Sequence, residues 1–142
     1  MRHCLVPLLL LLSMHLFGQG APAGHARGRV IVASDHRYLQ YENGEPFFWL
    51  GDTGWELFHR LDDQEIDRYL DNRASKGFTV IQSVILAEFN GLGRPDRYGN
   101  LPLHDMNPDR PNEQYFKRVD RAVTLAAGKG LIMGLLPTWG DK

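Results

Sequence analysis

The sequence of 142 residues contains a single cysteine, Cys4, close to its first residue. One cysteine cannot form an internal disulfide framework or the thiolate cluster of a structural zinc site. The six histidines include no pair at the i, i+4 spacing of a helical metal site. The glycine pairs at residues 91–93 and 128–130 extend to neither a dinucleotide fingerprint nor a P-loop. The sequence therefore predicts no metal and no cofactor.

An excess of basic residues is also missing, since the formal net charge is -1. This balance gives no electrostatic reason to expect nucleic acid or an anionic membrane surface as a partner. Hydrophobic residues make up 43% of the chain and charged residues 23%, which is typical of a globular protein. Nothing in the composition indicates an oligomeric state.

The chain has no apolar run long enough to span a bilayer, and the run at residues 5–12 follows Arg2 and His3. Ala21-Pro22-Ala23 has the small-x-small pattern of a signal-peptidase site. These features predict a cleavable signal peptide at residues 1–23, and hence a secreted or periplasmic protein without stable membrane association. Residues 24–142 then form the folded part.

The most informative segment is residues 47–55, in which FFWL is followed by GDTGW. A short apolar run predicts a strand buried on both faces, and glycine lets the chain turn where the strand ends. Asp52 and Trp55 are then expected beyond the carboxyl end of this strand, where α/β folds bind their ligands. Just upstream, the dipeptide Asn43-Gly44 predicts a hairpin between residues 37–41 and 45–50. Residues 29–33 are a further candidate strand.

Two amphipathic helices are predicted from their end signals. Asp62 and Glu65 form a capping-box pattern at the start of the first helix, and Gly77 is placed to end it. Asn112 caps the second helix, and Gly130 closes it. The apolar face of the second helix is predicted to contain Phe116, Val119, Val123, Ala126 and Ala127.

Two more buried strands are expected at residues 78–86 and 131–136, the last ended by Pro137. The order after the hairpin is strand, helix, strand, helix, strand, which predicts an α/β fold with a parallel sheet. The connection at residues 87–111 is long enough to be either functional or disordered.

A polar and aromatic cluster follows each parallel strand, and all three clusters are expected on one side of the sheet. They are Asp52 with Trp55, Glu88 with Asn90, and Trp139 with Asp141. This is the layout of the catalytic face of a (β/α)8 TIM barrel, which needs roughly 250 residues. The chain is therefore interpreted as the N-terminal part of a barrel, about three strands and two helices preceded by a β-hairpin, in a truncated sequence.

The chain resembles the apiosidase-like (β/α)8 glycoside hydrolases of the glycoside hydrolase family 140 group. The resemblance covers nearly everything after the signal peptide and is carried by several motifs in the same order. They are GEPFFWLGDT at 44–53, WELF at 55–58, VIQ at 80–82, LAE at 86–88, YGNLPL at 98–103, PNE at 111–113 and GLLPTWGDK at 134–142.

The resemblance implies a secreted enzyme that removes a terminal sugar, apiose in the first instance, from plant pectic glycans. Glycoside hydrolysis needs two carboxyl groups, which related barrels place after strands four and seven. Both are therefore expected beyond Lys142, and this portion alone is expected to be inactive. The candidate substrate-binding residues are Asp52, Trp55, Gln82, Glu88, Trp139 and Asp141. The partner is then a carbohydrate.

Several alternatives remain at this point. Asp52 has an equally common role as a cap, the tryptophans could pack in the core, and Glu88 could itself be catalytic. Asp52-Thr53-Gly54 also matches the triplet of an aspartic protease half-site, although a tryptophan and a helix follow it here. A non-catalytic glycan-binding fragment is the remaining alternative.

Overall fold

The computed structural model describes residues 27–140, so the predicted signal peptide and Asp141 lie outside the described residues. The described part contains an antiparallel pair of strands followed by a parallel α/β unit. In chain order the elements are β1 (Val30–Val32), β2 (Leu39–Tyr41), β3 (Gly51–Thr53), α1 (Leu57–Arg60), α2 (Asp63–Ser75), β4 (Val80–Leu86), a 3-10 turn (His104–Met106), α3 (Glu113–Gly128) and β5 (Ile132–Thr138). No helix between residues 27 and 140 is long and apolar enough to cross a membrane.

The predicted hairpin turn is confirmed, but its return strand is much shorter than expected. Gly44 adopts φ +88 and its N–H donates to the Tyr41 carbonyl at 2.9 Å. Only an isolated bridge between Gln40 and Pro46 follows the turn. The main antiparallel partner of β2 is β1, which the sequence had marked as a separate short strand.

The strand predicted over the apolar run was wrong in its position. β3 begins at Gly51, and of the four preceding apolar residues only Phe47 is buried, whereas the Phe48 side chain is 74% exposed. The Thr79 hydroxyl holds the backbone before β3, because it donates to the Phe48 carbonyl at 2.6 Å and accepts from the Leu50 N–H at 2.9 Å. The Leu50 carbonyl also accepts from the Thr79 and Val80 N–H groups at 2.9 and 3.2 Å, and the regular ladder begins at Gly51.

The first long helix, α2, has the start and end that the sequence predicts. The Asp62 carboxylate accepts from the Glu65 N–H at 2.8 Å, and the Glu65 carboxylate accepts from the Asp62 N–H at 2.9 Å. Gly77 follows the helix with φ +80, a conformation in which a side chain would be strained. Ile66 and Leu70 face the core and are fully buried.

The second long helix, α3, is capped by Asn112 and followed by Gly130 at φ +76, as predicted. Its buried face is rotated relative to the prediction. The buried residues are Tyr115, Val119, Ala122 and Ala126, while Val123 and Ala127 are only partly buried. Tyr115 causes the rotation, because its ring lies in the core and its hydroxyl donates to the Ile85 carbonyl at 2.6 Å.

The three-stranded sheet is parallel in the order β3-β4-β5, which confirms the predicted α/β class. β5 continues through Pro137, so the expectation that proline ends the strand was wrong. The Ile132 N–H donates to the carbonyl of Thr79, which directly precedes β4, at 2.9 Å. Alternation along β5 then points the Pro137 nitrogen away from β4, where no ladder bond is lost.

The core lies between the sheet and the helices, and the register defines the two faces of the sheet. Asp52, Ile81 and Met133 are register partners on one face. Ile81 and Met133 pack in the hydrophobic cluster formed with the helices, so this is the helix-facing side. Thr53, Gln82 and Gly134 are partners on the opposite face.

The long connection at residues 87–111 is ordered by a buried ion pair. Asp96 accepts from the Tyr98 and Asn100 N–H groups at 2.8 and 2.9 Å and from Arg118 at 2.6 Å. Arg118 also donates to the carbonyls of Phe58 and Leu61 at 3.1 and 2.9 Å. The connection is thereby tied to both α1 and α3, and it is a defined loop at the carboxyl ends of the strands.

Candidate substrate-binding site

A candidate site lies at the edge where β3, β4 and β5 end, because parallel strands direct their carboxyl ends to the same edge. Trp55 follows β3, Glu88 follows β4, and Trp139 follows β5. The sequence predicted that these three loops meet, and the structure brings the three side chains together. We call Trp55, Glu88 and Trp139 the strand-end cluster.

Glu88 is oriented by Trp55. The indole Nε1–H of Trp55 donates to Glu88 Oε2 at 2.6 Å, across 33 positions of sequence. The Trp139 ring packs edge-to-face on Trp55, with centroids 5.3 Å apart and an interplanar angle of 78°. Trp139 remains 53% exposed. The cluster therefore presents one open aromatic ring beside a carboxylate that, among residues 27–140, accepts a charge-assisted hydrogen bond from Trp55.

Gly140 also contributes to the strand-end cluster, although the sequence did not predict it as a site residue. A Cβ atom on Gly140 would lie 2.6 Å from Glu88 Oε1, and the residue adopts φ +76. A side chain at residue 140 would therefore push the Glu88 carboxylate out of its place, and the positive φ favours glycine there. The only sequence signal was the position of Gly140 within the motif TWGD.

Asp52 lies elsewhere. It is within β3, on the helix-facing side, where its Oδ2 accepts from the Tyr69 hydroxyl at 2.8 Å and from Arg73 Nε. The hydrogen bond from Arg73 lowers the pKa of the Asp52 carboxyl, and burial raises the pKa of the Tyr69 hydroxyl to about 12, with Asp52 adding to the effect. The Asp52 carboxylate is bound by α2 and not by the strand-end cluster, and its contact with substrate stays a prediction.

The same surroundings argue against an aspartic protease. That chemistry needs two carboxylates that share a proton, whereas Asp52 is paired with a guanidinium and a phenol on α2. The residues after it form α1 and α2 rather than the β-structure of a protease lobe. Asp52 instead fastens β3 to the helix layer.

Gln82 points to the face of the sheet opposite the helices. The site where a Cβ atom of Gly134 would lie is 3.4 Å from Gln82 Cγ, so the glutamine side chain crosses the neighbouring strand there. Its contact with substrate stays a prediction. Asn90 adopts φ +67 within the loop after Glu88.

A polar cleft of about 500 Å³, which the sequence did not predict, is lined in part by Glu56 and Phe89, the residues that follow Trp55 and Glu88 in the chain. Its lining comes from the loops after β3 and β4 and from α1. The lining residues are Glu56, His59, Arg60, Phe89, Arg94, Pro95, Asp96 and Arg97. The only signal was the length of the connection at residues 87–111. We call this the arginine cleft.

His59 is one of the residues that line this cleft. Burial lowers the pKa of its imidazole, against the opposing effects of Glu56 and Asp96. Its Nδ1 atom is shielded from solvent and has no hydrogen-bond partner among residues 27–140. No group of three or more His, Cys, Asp or Glu side chains suited to a metal ion occurs in the part of the chain described.

Comparison with known families gives a match over most of the chain. The sequence profile described as "Apiosidase-like, catalytic domain" matches residues 33–142. A search of curated proteins finds no significant match. The family match includes every residue of the strand-end cluster and of the arginine cleft.

Solved structures also resemble this chain. One, described as a glycoside hydrolase, is 36% identical over 78% of this chain, with a TM-score of 0.68. Another, described as a glycoside hydrolase family 5 from Bacteroides vulgatus ATCC 8482, is 33% identical over the same share, also with a TM-score of 0.68. The chain spans 25% of the length of each of these solved chains.

Proposed function

The chain belongs to the apiosidase-like family of glycoside hydrolase catalytic domains, and from this premise we propose that it is part of a secreted enzyme that removes a terminal sugar from plant pectic glycans. Apiose is the first candidate for the sugar. The protein would carry a signal peptide at residues 1–23, and residues 24–142 would be the first portion of its barrel.

The observation that carries the proposal is the strand-end cluster. The exposed face of Trp139 is apolar and matches the C–H face of a sugar ring. Glu88, fixed by Trp55, offers a carboxylate oxygen to sugar hydroxyls at charge-assisted strength. An aromatic platform beside an oriented carboxylate is suited to holding a sugar at the carboxyl edge of a parallel sheet.

The reaction itself needs two carboxyl groups, about 5–9.5 Å apart, on either side of the scissile bond. Within the described residues the strand-end cluster supplies one carboxylate, Glu88. We infer that the acid and its partner follow later strands, encoded beyond Lys142. The present residues would then form part of the floor that binds substrate.

The sequence downstream of Lys142 in the gene offers the first test. About five further strand–helix units are expected there, with an acidic residue after the fourth and the seventh strand of the barrel. A stop codon directly after Lys142 would contradict a barrel enzyme.

Two exposed tryptophans allow a matched test of sugar binding in the intact gene product. Trp139→Ala is expected to raise the KM for an apiose-bearing glycan about ten-fold, because a stacking platform is lost. Trp49, which is similarly exposed at 51% but precedes β3, is the control, and Trp49→Ala should leave KM unchanged. Equal effects of the two substitutions would contradict a sugar platform at Trp139. Cleavage of casein at acid pH without glycan hydrolysis would contradict the whole proposal.

A further inference from the structure

Two of the six asparagines in the sequence are followed by glycine: Asn43-Gly44 in the hairpin turn and Asn90-Gly91 in the loop after β4. Such a pair is chemically labile, because the backbone nitrogen of the glycine can attack the asparagine side chain without hindrance from a Cβ atom at the second residue. The two dipeptides have the same covalent structure. A difference in their reactivity must therefore come from the fold.

The fold accounts for both residues of the second dipeptide. Asn90 adopts φ +67, in the left-handed region that asparagine tolerates better than most side chains. A Cβ atom on Gly91 would lie 2.3 Å from the carbonyl oxygen of Ala87, so any other residue there would force the backbone to shift. The loop that follows Glu88 therefore needs this labile pair for its shape.

The reacting groups of Asn43-Gly44 are both held by hydrogen bonds. The Oδ1 atom of Asn43 accepts from the Glu45 N–H at 3.0 Å, and the Gly44 N–H donates to the Tyr41 carbonyl at 2.9 Å. Attack by the Gly44 nitrogen on the side chain requires that the turn open first. The fold consequently protects this dipeptide.

The reacting groups of Asn90-Gly91 are not held in this way. Asn90 is exposed, and among residues 27–140 neither its side-chain amide nor the Gly91 N–H takes part in a hydrogen bond. The hydrogen bonds of this loop run instead to the Asn90 carbonyl, which accepts from the N–H groups of Gly93 and Arg94 at 3.0 and 2.9 Å. The restraint that protects Asn43 is therefore absent from this dipeptide.

We propose that Asn90 is a site of spontaneous deamidation in the folded protein, and that the product changes the loop beside the strand-end cluster. The Gly91 nitrogen loses its proton to water and bonds to Cγ of Asn90, while the Cγ–Nδ2 bond breaks and ammonia leaves. Water then opens the resulting cyclic imide at either of its carbonyls, which gives isoaspartate or aspartate. No atom is oxidised or reduced, and water is the only co-reactant.

The product differs from Asn90 in its charge and, as isoaspartate, in the length of its main chain. The new carboxylate lies two residues from Glu88 along the chain, so it adds a like charge to the same loop. Isoaspartate also adds a methylene group to the backbone at the residue whose carbonyl binds Gly93 and Arg94. The position of Glu88 against Trp55 is therefore expected to change as the protein ages.

Peptide mass spectrometry on the intact gene product, held at mildly alkaline pH, measures both sites in one sample, because trypsin cleavage at Arg60 and Lys76 separates the two dipeptides. The peptide with Asn90 is expected to gain about 1 Da at least about ten-fold faster than the peptide with Asn43, since two hydrogen bonds must break at Asn43-Gly44. In protein unfolded by urea the two rates should become equal. Asn90→Gly should remove the fast site, and the matched control Asn43→Gly should retain it.

Equal rates in the folded protein, or a faster reaction at Asn43, would overturn the site. The effect on the strand-end cluster is measured at the Trp55 indole N–H, which donates to Glu88 at 2.6 Å. Its NMR resonance should shift on the time course of the reaction at Asn90, and it should stay constant over the same period in Asn90→Gly. A constant resonance in the fully deamidated protein would overturn the effect on the cluster. Both measurements are independent of glycan hydrolysis, so neither outcome depends on the proposed function.

Discussion

Asp52 and Glu88 belong to two regions that look alike in sequence and differ in structure. Each is a carboxylate at or just after a strand of the parallel sheet. Asp52 lies on the helix-facing side, bound to Tyr69 and Arg73 of α2. Glu88 lies beyond the strand, bound to Trp55 and close to Gly140 at an open edge. The region of Asp52 joins the sheet to the helix layer, whereas the region of Glu88 holds a carboxylate beside the exposed ring of Trp139.

The difference depends on where a strand begins. The sequence placed the first parallel strand over residues 45–50, which put Asp52 in a loop with Trp55. The strand is Gly51–Thr53, and a residue inside a strand must face one side of the sheet or the other. A shift of a few residues therefore placed the Asp52 side chain at the interface with α2. The position of Glu88 was predicted correctly, because β4 ends at Leu86 as expected and Glu88 follows it.

The largest contrast between the regions should appear in stability. Ile81 is a fully buried register partner of Asp52, and Ile81→Ala is expected to destabilise the intact protein by about 2–5 kcal/mol, because it leaves a cavity in the helix-facing core. Trp139→Ala, at the open edge, should cost far less. Denaturant midpoints of the two variants provide the measurement, and equal losses would remove the distinction.

Substitution of Glu88 is expected to affect activity, whereas substitution of Asp52 is expected to affect stability. Glu88→Gln keeps the size of the side chain and an acceptor for the Trp55 indole but removes the charge, and kcat/KM for the glycan is expected to fall about 10- to 100-fold with little change in melting temperature. Asp52→Asn should leave kcat/KM within about two-fold and lower the melting temperature instead. If Asp52→Asn produced the larger loss of activity at unchanged stability, the assignment of the two regions would be reversed.

Much of this arrangement could be predicted from local signals. The Asp62–Glu65 capping box, the Asn112 cap and the glycines after both helices are short-range patterns, and the structure contains each of them. Parallel strand order followed from the alternation of elements, which brought Trp55, Glu88 and Trp139 to one edge. These parts depend on periodicity and caps, which the sequence records directly.

The features that the sequence did not reveal depend on contacts between distant segments. Nothing local indicates that the Thr79 hydroxyl binds the backbone at Phe48 and Leu50, just before β3. The pairing of Asp96 with Arg118 spans 22 positions and orders the loop that carries Arg94 and Arg97. The arginine cleft could not be found without it, because its lining comes from three separate segments.

A smaller effect is expected for a substitution at Gly140. It tests the position of the Glu88 carboxylate without removing its charge. Gly140→Ala keeps the carboxylate but places a methyl group 2.6 Å from its Oε1 atom, at a residue with φ +76, so the Glu88 side chain must shift. We expect kcat/KM to fall about ten-fold through a higher KM, with a loss of stability of about 1 kcal/mol. Gly128→Ala is the control, since a Cβ there meets nothing within 4 Å. An unchanged KM in Gly140→Ala would mean that the position of Glu88 does not matter for binding.

The smallest effect concerns the dependence of stability on pH in the region of Asp52. The hydrogen bond from Arg73 lowers the pKa of Asp52 in the folded protein. A carboxyl with a depressed folded-state pKa stabilises the fold above its ordinary pKa of about 4, and this stabilisation is lost as pH falls through the folded-state pKa. Asp52→Asn should therefore be less stable than the parent by about 1 kcal/mol at neutral pH, and the gap should close under acid conditions.

Melting temperatures between pH 2 and pH 7 measure this gap in the intact protein. Asp120→Asn is the matched control, because Asp120 is exposed on α3 and forms no ion pair among residues 27–140. Its effect should stay small at every pH. A gap for Asp52→Asn that stays constant down to pH 2 would mean that the ionised carboxylate does not hold β3 to α2, and that the two carboxylates differ in position alone.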